Sequence, residues 1–290
     1  MTPSSSENDL HLSESVAVAA FYKFVDIDAT DNLREDALAL LDAHGIKGTM
    51  LIATEGINAT ISGTDDAIAQ VIAGLRSDAR FSDLEVKLSR APRQPFRRLK
   101  VKVKREIVTL DAPEARPSAA TGRFVAPADW NALISQPDVL LIDTRNDYEV
   151  QIGTFEGAQN PKTRSFGEFR DYVANELAQN PQRKIAMFCT GGIRCEKASA
   201  YLITKGFTDV NQLCGGILKY LEDIAPEESL WRGECFVFDE RVALGQGLQQ
   251  GNHTLCASCG VPMPLGSDTL EASLRCDQCA EDRASSSCGN

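Results

Sequence analysis

The chain has 290 residues, of which 43% are hydrophobic and 24% charged, a composition typical of soluble globular proteins and a length that favours two domains plus an extra module over a single core. Its net charge of −11 argues against generic nucleic-acid binding by the whole surface. The first fourteen residues lack the cationic start and apolar run of a secretory signal, and no apolar stretch approaches the roughly 18 residues that span a membrane, so a cytoplasmic protein without a membrane partner is expected.

Residues 16–27 are β-branched and aromatic and read as a strand. Residues 31–44 carry Leu33, Ala37, Leu40 and Leu41 at helical spacing, with Gly45 as the stop. Two strands, 46–53 and 57–62, flank a turn at Glu55-Gly56, and 64–78 is a helix with Ile68, Val71, Ile72 and Leu75 on one face. Further strands are read at 84–88 and 99–110. The β-α-β-β-α-β order is the ferredoxin-like α+β plan, placed at 15–111. Residues 112–123 are rich in Pro, Ala and Ser and read as a linker.

A second unit, 124–242, alternates strands and helices, which means a parallel α/β sheet. Residues 139–142 and 185–188 are continuous apolar runs, as expected of strands buried on both faces. Helices are read at 166–177 and 195–205, the latter stopped by Gly206, and a short strand at 210–213. A polar, Gly-rich tail follows, its structured part placed at 250–284.

The chemistry concentrates in Phe188-Cys189-Thr190-Gly191-Gly192-Ile193-Arg194-Cys195-Glu196, between a strand and a helix. In open α/β sheets, ligands bind at the carboxyl ends of strands. The glycines let the backbone from Thr190 to Ile193 curl so that successive N–H groups point inward, an anion-binding nest capped by a helix N-terminus. A thiol held there is acidified, because amides and the helix dipole stabilise its thiolate. Arg194 is suited either to bracing the loop or to binding an oxyanion. Cys195 is suited either to resolving an oxidised Cys189 or to packing at the helix start. The plainer alternative for Cys189 itself is a structural thiol in a glycine turn.

This loop and its flanks resemble the rhodanese superfamily. Leu141-Ile142-Asp143-Thr144-Arg145, Tyr148-Glu149, Ile152-Gly153, Gly157-Ala158 and Asn160-Pro161 are similar to its first signature, and Gly206-Phe207, Val210, Leu213 and Gly215-Gly216-Ile217 to its closing one. The resemblance implies an α/β fold and a persulfide-forming or otherwise reactive Cys189. Four residues separate Cys189 from Arg194, the short form of sulfurtransferases; related phosphatases have one more, which makes room for a phosphate. The string Cys189-Thr-Gly-Gly-Ile-Arg-Cys-Glu-Lys197 narrows the resemblance to the tRNA uridine hydroxylase family, which couples a rhodanese domain to an N-terminal ferredoxin-like domain. Leu51-Ile-Ala-Thr-Glu-Gly-Ile-Asn-Ala-Thr60 and Trp231-Arg-Gly-Glu-Cys-Phe-Val-Phe-Asp-Glu-Arg241 are similar to the same family. Ala59 departs from it, standing where Gly is usual. What the resemblance implies is oxygen-dependent conversion of the wobble uridine of tRNA to 5-hydroxyuridine, with tRNA as partner and molecular oxygen as co-substrate. No haem, flavin or non-haem-iron ligand pattern is visible, so no organic cofactor is expected, and no protein partner is evident.

Two further features carry chemistry. Cys256-x-x-Cys259 and Cys276-x-x-Cys279, sixteen residues apart, have the spacing of a Cys₄ zinc site, and a tail with little core of its own would draw folding energy from the metal. From Lys87 to Arg105 there are nine Lys/Arg residues and no Asp or Glu. Within that strip Arg90, Arg93, Arg97, Arg98, Lys100, Lys102, Lys104 and Arg105, with Phe96 among them, are the candidate RNA contacts. The lysines alternate with Val101 and Val103 as on a strand with one charged face. Three functions are open at this point: a tRNA-modifying oxygenase, a small-molecule sulfurtransferase of thiosulfate type working through a Cys189 persulfide, and an inactive, zinc-stabilised RNA-binding scaffold. The basic strip counts against the second and the intact Cys189–Arg194 loop against the third.

Overall fold

The structure is a computed structural model and describes residues 15–265, 275–277, 279 and 280; Cys288 and the polar first fourteen residues lie outside these. The N-terminal unit runs β1 (Val16–Phe24), α1 (Thr30–Ala43), β2 (Lys47–Ala53), β3 (Gly56–Gly63), α2 (Asp65–Arg76), β4 (Lys87–Ala91) and β5 (Leu99–Val103). Its sheet has the order β4-β1-β3-β2-β5. The first four strands pair antiparallel in the ferredoxin-like arrangement, and β5 extends the edge, parallel to β2. One face is the core: Ala17, Ala19 and Phe21, Met50 and Ile52, and Ala59 and Ile61 pack beneath Leu33 and Leu41 of α1 and Val71 and Leu75 of α2. Ala59 keeps its Cβ without strain because it sits mid-strand, opposite Phe21 and Met50 and facing that core.

Several boundaries differ from the sequence reading, the first strand ending at Phe24 rather than at 27. Strand β4 begins at Lys87 rather than 84, because Leu84 is buried in the core before the strand starts. Strand β5 stops at Val103, since the Glu106 carboxylate accepts the amides of Leu110 and Asp111 and turns the chain away. Val103 is therefore 37% exposed, whereas Val101 is buried as expected. Segment 112–123 is no free tether: Ala112 and Ala115 are buried in the second core, and Ser199 accepts the Gly122 amide.

The second unit holds a four-stranded parallel sheet of β6 (Arg123–Val125), β7 (Val139–Asp143), β9 (Lys184–Phe188) and β10 (Val210–Leu213), in the order β6-β10-β9-β7. Between β7 and β9 come α4 (Asp147–Val150), the short strand β8 (Gly153–Phe155) and a wound segment containing α5 (Phe169–Tyr172). Alternate residues of the central strands serve two cores. Ile142, Ile185 and Met187 face Phe169 and α6 (Ile193–Thr204), whereas Leu141, Ala186 and Phe188 face α3 (Pro127–Ile134) and α7 (Gly216–Asp223). Phe155 centres the second core, edge-on to Phe188, Tyr220 and Trp231 of β11 (Trp231–Gly233). Helices α3 and α7 lack a sequence expectation. Pro127 opens α3, and Gly215 and Gly216, at φ 74° and 69°, turn the chain into α7 where a glycine pair reads as a breaker.

The outer face of the N-terminal sheet meets the second unit. Lys197 of α6, 1% exposed, donates to Glu55 Oε1 at 2.7 Å and Glu106 Oε2 at 2.6 Å, and also to the Val108 carbonyl. Arg241 donates to Ser89 Oγ at 2.8 Å and to the Arg90 carbonyl, pinning β4 from the same side. Removing one partner of a buried ion pair strands the others. Lys197→Met is accordingly expected to cost about 3 kcal/mol in denaturant unfolding, and adding Glu106→Gln is expected to recover part of the loss.

Candidate active site and metal site

Cys189 directly follows the last residue of β9, Phe188, and is fully buried. Its Sγ accepts the Gly192 amide at 3.1 Å, made possible by a φ of 104° that only glycine adopts readily. Gly216 closes the loop from α7; a Cβ there would stand 2.6 Å from the Cys189 carbonyl. Burial pushes the Cys189 thiol up. The Cys195 thiol donating to it, the Arg194 guanidinium, and the amides of Cys195 and Gly192 outweigh burial and hold it below the ordinary thiol range. Cys195 moves the opposite way, raised by burial and by its thiolate neighbour, with its Sγ 3.4 Å from Thr144 Oγ1. The pair is thus a thiolate beside a protonated thiol.

Arg194 braces the loop. Its two terminal nitrogens reach Glu149 at 2.6 and 2.8 Å, and Nη2 also donates to Thr190 Oγ1 at 3.1 Å. Glu149 belongs to α4 and is completely buried, so its charge stands on this guanidinium. Asp143 and Arg145 pair with each other, both fully buried, and Arg145 also donates to the Gly153 carbonyl. They hold the strand end in place and leave the loop alone. Cys235 is packed in the second core, where burial raises its thiol to about 12. Cys214 is half-buried.

The N-terminal unit reaches into this site. Lys87 of β4 donates to the Gly191 carbonyl, and its Nζ lies 5.5 Å from the centre of the Tyr22 ring. Tyr22 of β1 lies against Gly192, where an added Cβ would be 2.9 Å from its hydroxyl, and it donates to Glu196. The Glu196 carboxyl is raised by burial despite that bond.

The basic strip is divided by the fold. Strand register puts Lys87, Ala20, Thr60, Thr49 and Lys100 in one row across the outer face, and Tyr22, Asn58, Leu51 and Lys102 in the next. Lys100 and Lys102 therefore share the face that carries Lys87, four strands away, or roughly 19 Å at ~4.8 Å per strand. Arg90 points to the helical side and pairs with Asp65. Arg97 and Arg105 pair with Glu240 and Asp111 but stay 93% and 89% exposed. Arg93, Arg98, Lys102 and Lys104 are exposed and Lys100 half-buried, and none of the five forms an ion pair among the described residues; Phe96 is half-buried.

In the tail, β12 (Cys235–Phe236) and β13 (Ala243–Leu244) precede a hairpin of β14 (His253–Leu255) and β15 (Pro262–Pro264), with Cys256 and Cys259 in its turn. The sulfur atoms of Cys256, Cys259, Cys276 and Cys279 all lie within 4.8 Å of one another. Four thiolates at ~2.3 Å from one ion in a tetrahedron stand about 3.8 Å apart, so the donor set fits a metal ion. The Cys276 amide donates to Cys256 Sγ at 3.3 Å, as ligating sulfurs usually require. All four predicted ligands are brought together. Among the described residues, no helix is long and apolar enough to cross a membrane.

Glu149, Lys87, Tyr22 and the Lys197 cluster are the site residues that sequence reasoning gave no role. One signal pointed to Glu149: a guanidinium beside a buried thiolate needs a counter-charge, and Glu149 is, with Asp143, one of the two acids within the strand-end signature.

Residues 16–107 match the UPF0176 acylphosphatase-like domain and residues 126–223 the rhodanese-like domain. A rhodanese-like domain protein from Staphylococcus aureus of known crystal structure is 23% identical over 34% of this chain and 90% of its own, with a TM-score of 0.28. The tRNA uridine(34) hydroxylase of Sinorhizobium medicae is 52% identical over 92% of this chain and 85% of its own length. That of a Picosynechococcus species is 52% identical over 91% and 90%. With the N-terminal and rhodanese-like domains in the same order and half of all residues shared along nearly the full length, the chain belongs to the tRNA uridine(34) hydroxylase family.

Proposed function

We propose that this protein hydroxylates carbon 5 of the wobble uridine of tRNA with molecular oxygen as co-substrate, and that Cys189 is its reactive group. The observation that carries this reading is the convergence on one sulfur of the Gly192 amide, the Arg194 charge and a second thiol. A scaffold has no use for that concentration of anion-stabilising groups. Placing one oxygen atom on the base and releasing the other as water consumes two electrons and two protons. The Cys189 thiolate and the Cys195 thiol together hold the two electrons and one of the protons, and closing a disulfide between them would deliver these, the second proton coming from solvent. In this reading Arg194, clamped by Glu149, keeps the loop in shape, and Thr190, Gly191, Gly192 and Ile193 supply its amides. Lys100 and Lys102, with Arg93, Arg98 and Lys104 and the exposed Arg97 and Arg105, draw the RNA phosphates to the outer sheet face. The tail cysteines hold zinc, which supplies folding energy there and takes no part in the reaction. A cytoplasmic setting follows from the substrate. A plain sulfurtransferase would need neither the lysine face nor the second thiol.

Cys189→Ala is expected to abolish 5-hydroxyuridine in tRNA from complemented cells while changing thermal stability and tRNA affinity little; full modification by this variant would remove the thiol from the reaction. Cys195→Ala separates the two roles of its residue. Lost turnover with an oxidised Cys189 trapped on the protein assigns resolution, whereas normal turnover assigns packing.

Reversing Lys100, Lys102 and Lys104 to Glu is expected to weaken tRNA binding and to flatten its dependence on salt by about one unit of slope per lost phosphate contact. Melting temperature should hardly move. Unchanged binding would place the RNA elsewhere.

Metal analysis of untagged protein is expected to give about one zinc per chain, and Cys256→Ser to lose it together with the protease resistance of the tail. Metal-free protein with an equally resistant tail would contradict this.

A further inference from the structure

The Gly191 carbonyl and the Gly192 amide are the two ends of a single peptide unit. The carbonyl end accepts from Lys87 Nζ, and the amide end donates to Cys189 Sγ at 3.1 Å. A chain of contacts thus runs from an ammonium of the N-terminal sheet, through one planar peptide, to the sulfur of the other domain. Charge at one end of such a unit polarises the other, and beside a fully buried sulfur the polarisation is screened less than in bulk water.

We propose that Lys87 is a positioning residue for the reaction: it holds and polarises the Gly191–Gly192 peptide so that its N–H stays aimed at the Cys189 sulfur, and the N-terminal domain thereby completes the thiolate site.

Three further observations favour this over a packing role. A peptide between two glycines meets almost no steric resistance to flipping, and a flip would turn the carbonyl oxygen toward the sulfur. Something outside the loop must hold it, and Lys87 is placed to do so. Tyr22 closes the other side of the unit, its hydroxyl lying 2.9 Å from where a Gly192 Cβ would be. Finally, Lys87 is only half-exposed, with its ammonium turned toward the loop. Burial lowers its pKa, and the Cys189 thiolate and the carboxylates of Glu85 and Glu196 act against that. A side chain needed only to fill space there would be better uncharged. The groups facing Cys189 are, besides Lys87, Arg194 and Cys195 from α6 and Tyr22 from β1, with Glu149 behind Arg194 and Glu196 behind Tyr22.

The inference rests on the proposed reactivity of Cys189, so its test reads the thiolate directly. Carbon-13 NMR of protein labelled at the cysteine β-carbons, followed across a pH series, titrates each thiol without a reagent having to reach the buried sulfurs, and the resonance missing from Cys189→Ala assigns Cys189. Lys87→Met is expected to raise the Cys189 titration midpoint by about one pH unit and to lower 5-hydroxyuridine formation roughly tenfold, with tRNA affinity unchanged. Lys87→Arg, which keeps the charge, is expected to restore most of both. If Lys87→Met melts far below the wild type, Lys87→Gln, a neutral donor, carries the same comparison and should fall between. An unchanged midpoint in a folded, neutral Lys87 variant would overturn the proposal, whatever its activity. A raised midpoint together with full hydroxylation by Cys189→Ala would leave the lysine–peptide coupling standing and remove the thiol mechanism instead.

Discussion

The Lys197 ammonium sits between two domains with almost no access to water, and Glu55 and Glu106 receive it. An ion in that position cannot be left unpaired without large cost, so α6 and the β2–β3 turn that carries Glu55 are bound to move as one piece. The same helix opens at Ile193, directly after the Cys189 loop. Fixing the helix against the sheet therefore fixes the loop beneath Tyr22 and Lys87. The backbone takes part as well, since the Val108 carbonyl accepts from Lys197 and ties down the chain as it leaves the first domain. Two units that sequence patterns separate are mechanically one around the site.

How much of this the sequence discloses depends on how local the cause is. The parallel strands are visible in their unbroken apolar runs, and the βαββαβ unit in the change of period from two to about 3.6. Cys189 and its glycines are visible because the whole nest lies within a few consecutive residues. The tail ligands are visible for the same reason, since each pair spans one turn. What stays hidden comes from far along the chain: Glu149 meets Arg194 across 45 residues, and Lys87 meets Gly191 across 104. Local patterns do not encode which charge will neutralise a buried guanidinium. The packing of 112–123 is hidden differently. Ala112 and Ala115 carry no periodic signal, and only the surface opposite them makes them core.

The run from Lys87 to Arg105 shows one stretch of like charge placed in two dielectric settings. Lys87 is half-buried with its ammonium against the loop, so its charge acts over a short range on specific atoms. Lys102 and Lys104 stand in water, where screening leaves only a diffuse attraction for polyanions. Arg90 belongs to neither group, because it is one residue out of phase with the outward-facing positions of its strand and points to the helices. Counting charges along a sequence merges these cases; strand parity and burial separate them.

The complete burial of Cys189 has a consequence for the survival of the protein in an aerobic cell. A sulfur held as thiolate is the form that stray peroxides attack, and unguarded sites of this kind progress to sulfinic and sulfonic acids that few systems reverse. Here enclosure makes collision rare while no RNA is bound: the sulfur most prone to damage has no exposed surface in the resting protein. Acidity and vulnerability, which normally rise together in cysteines, are separated by access. Longevity of the thiol is then a property of the lid formed by Tyr22 and Lys87 as much as of the sulfur, and a chain that loosened this lid would age at Cys189 first.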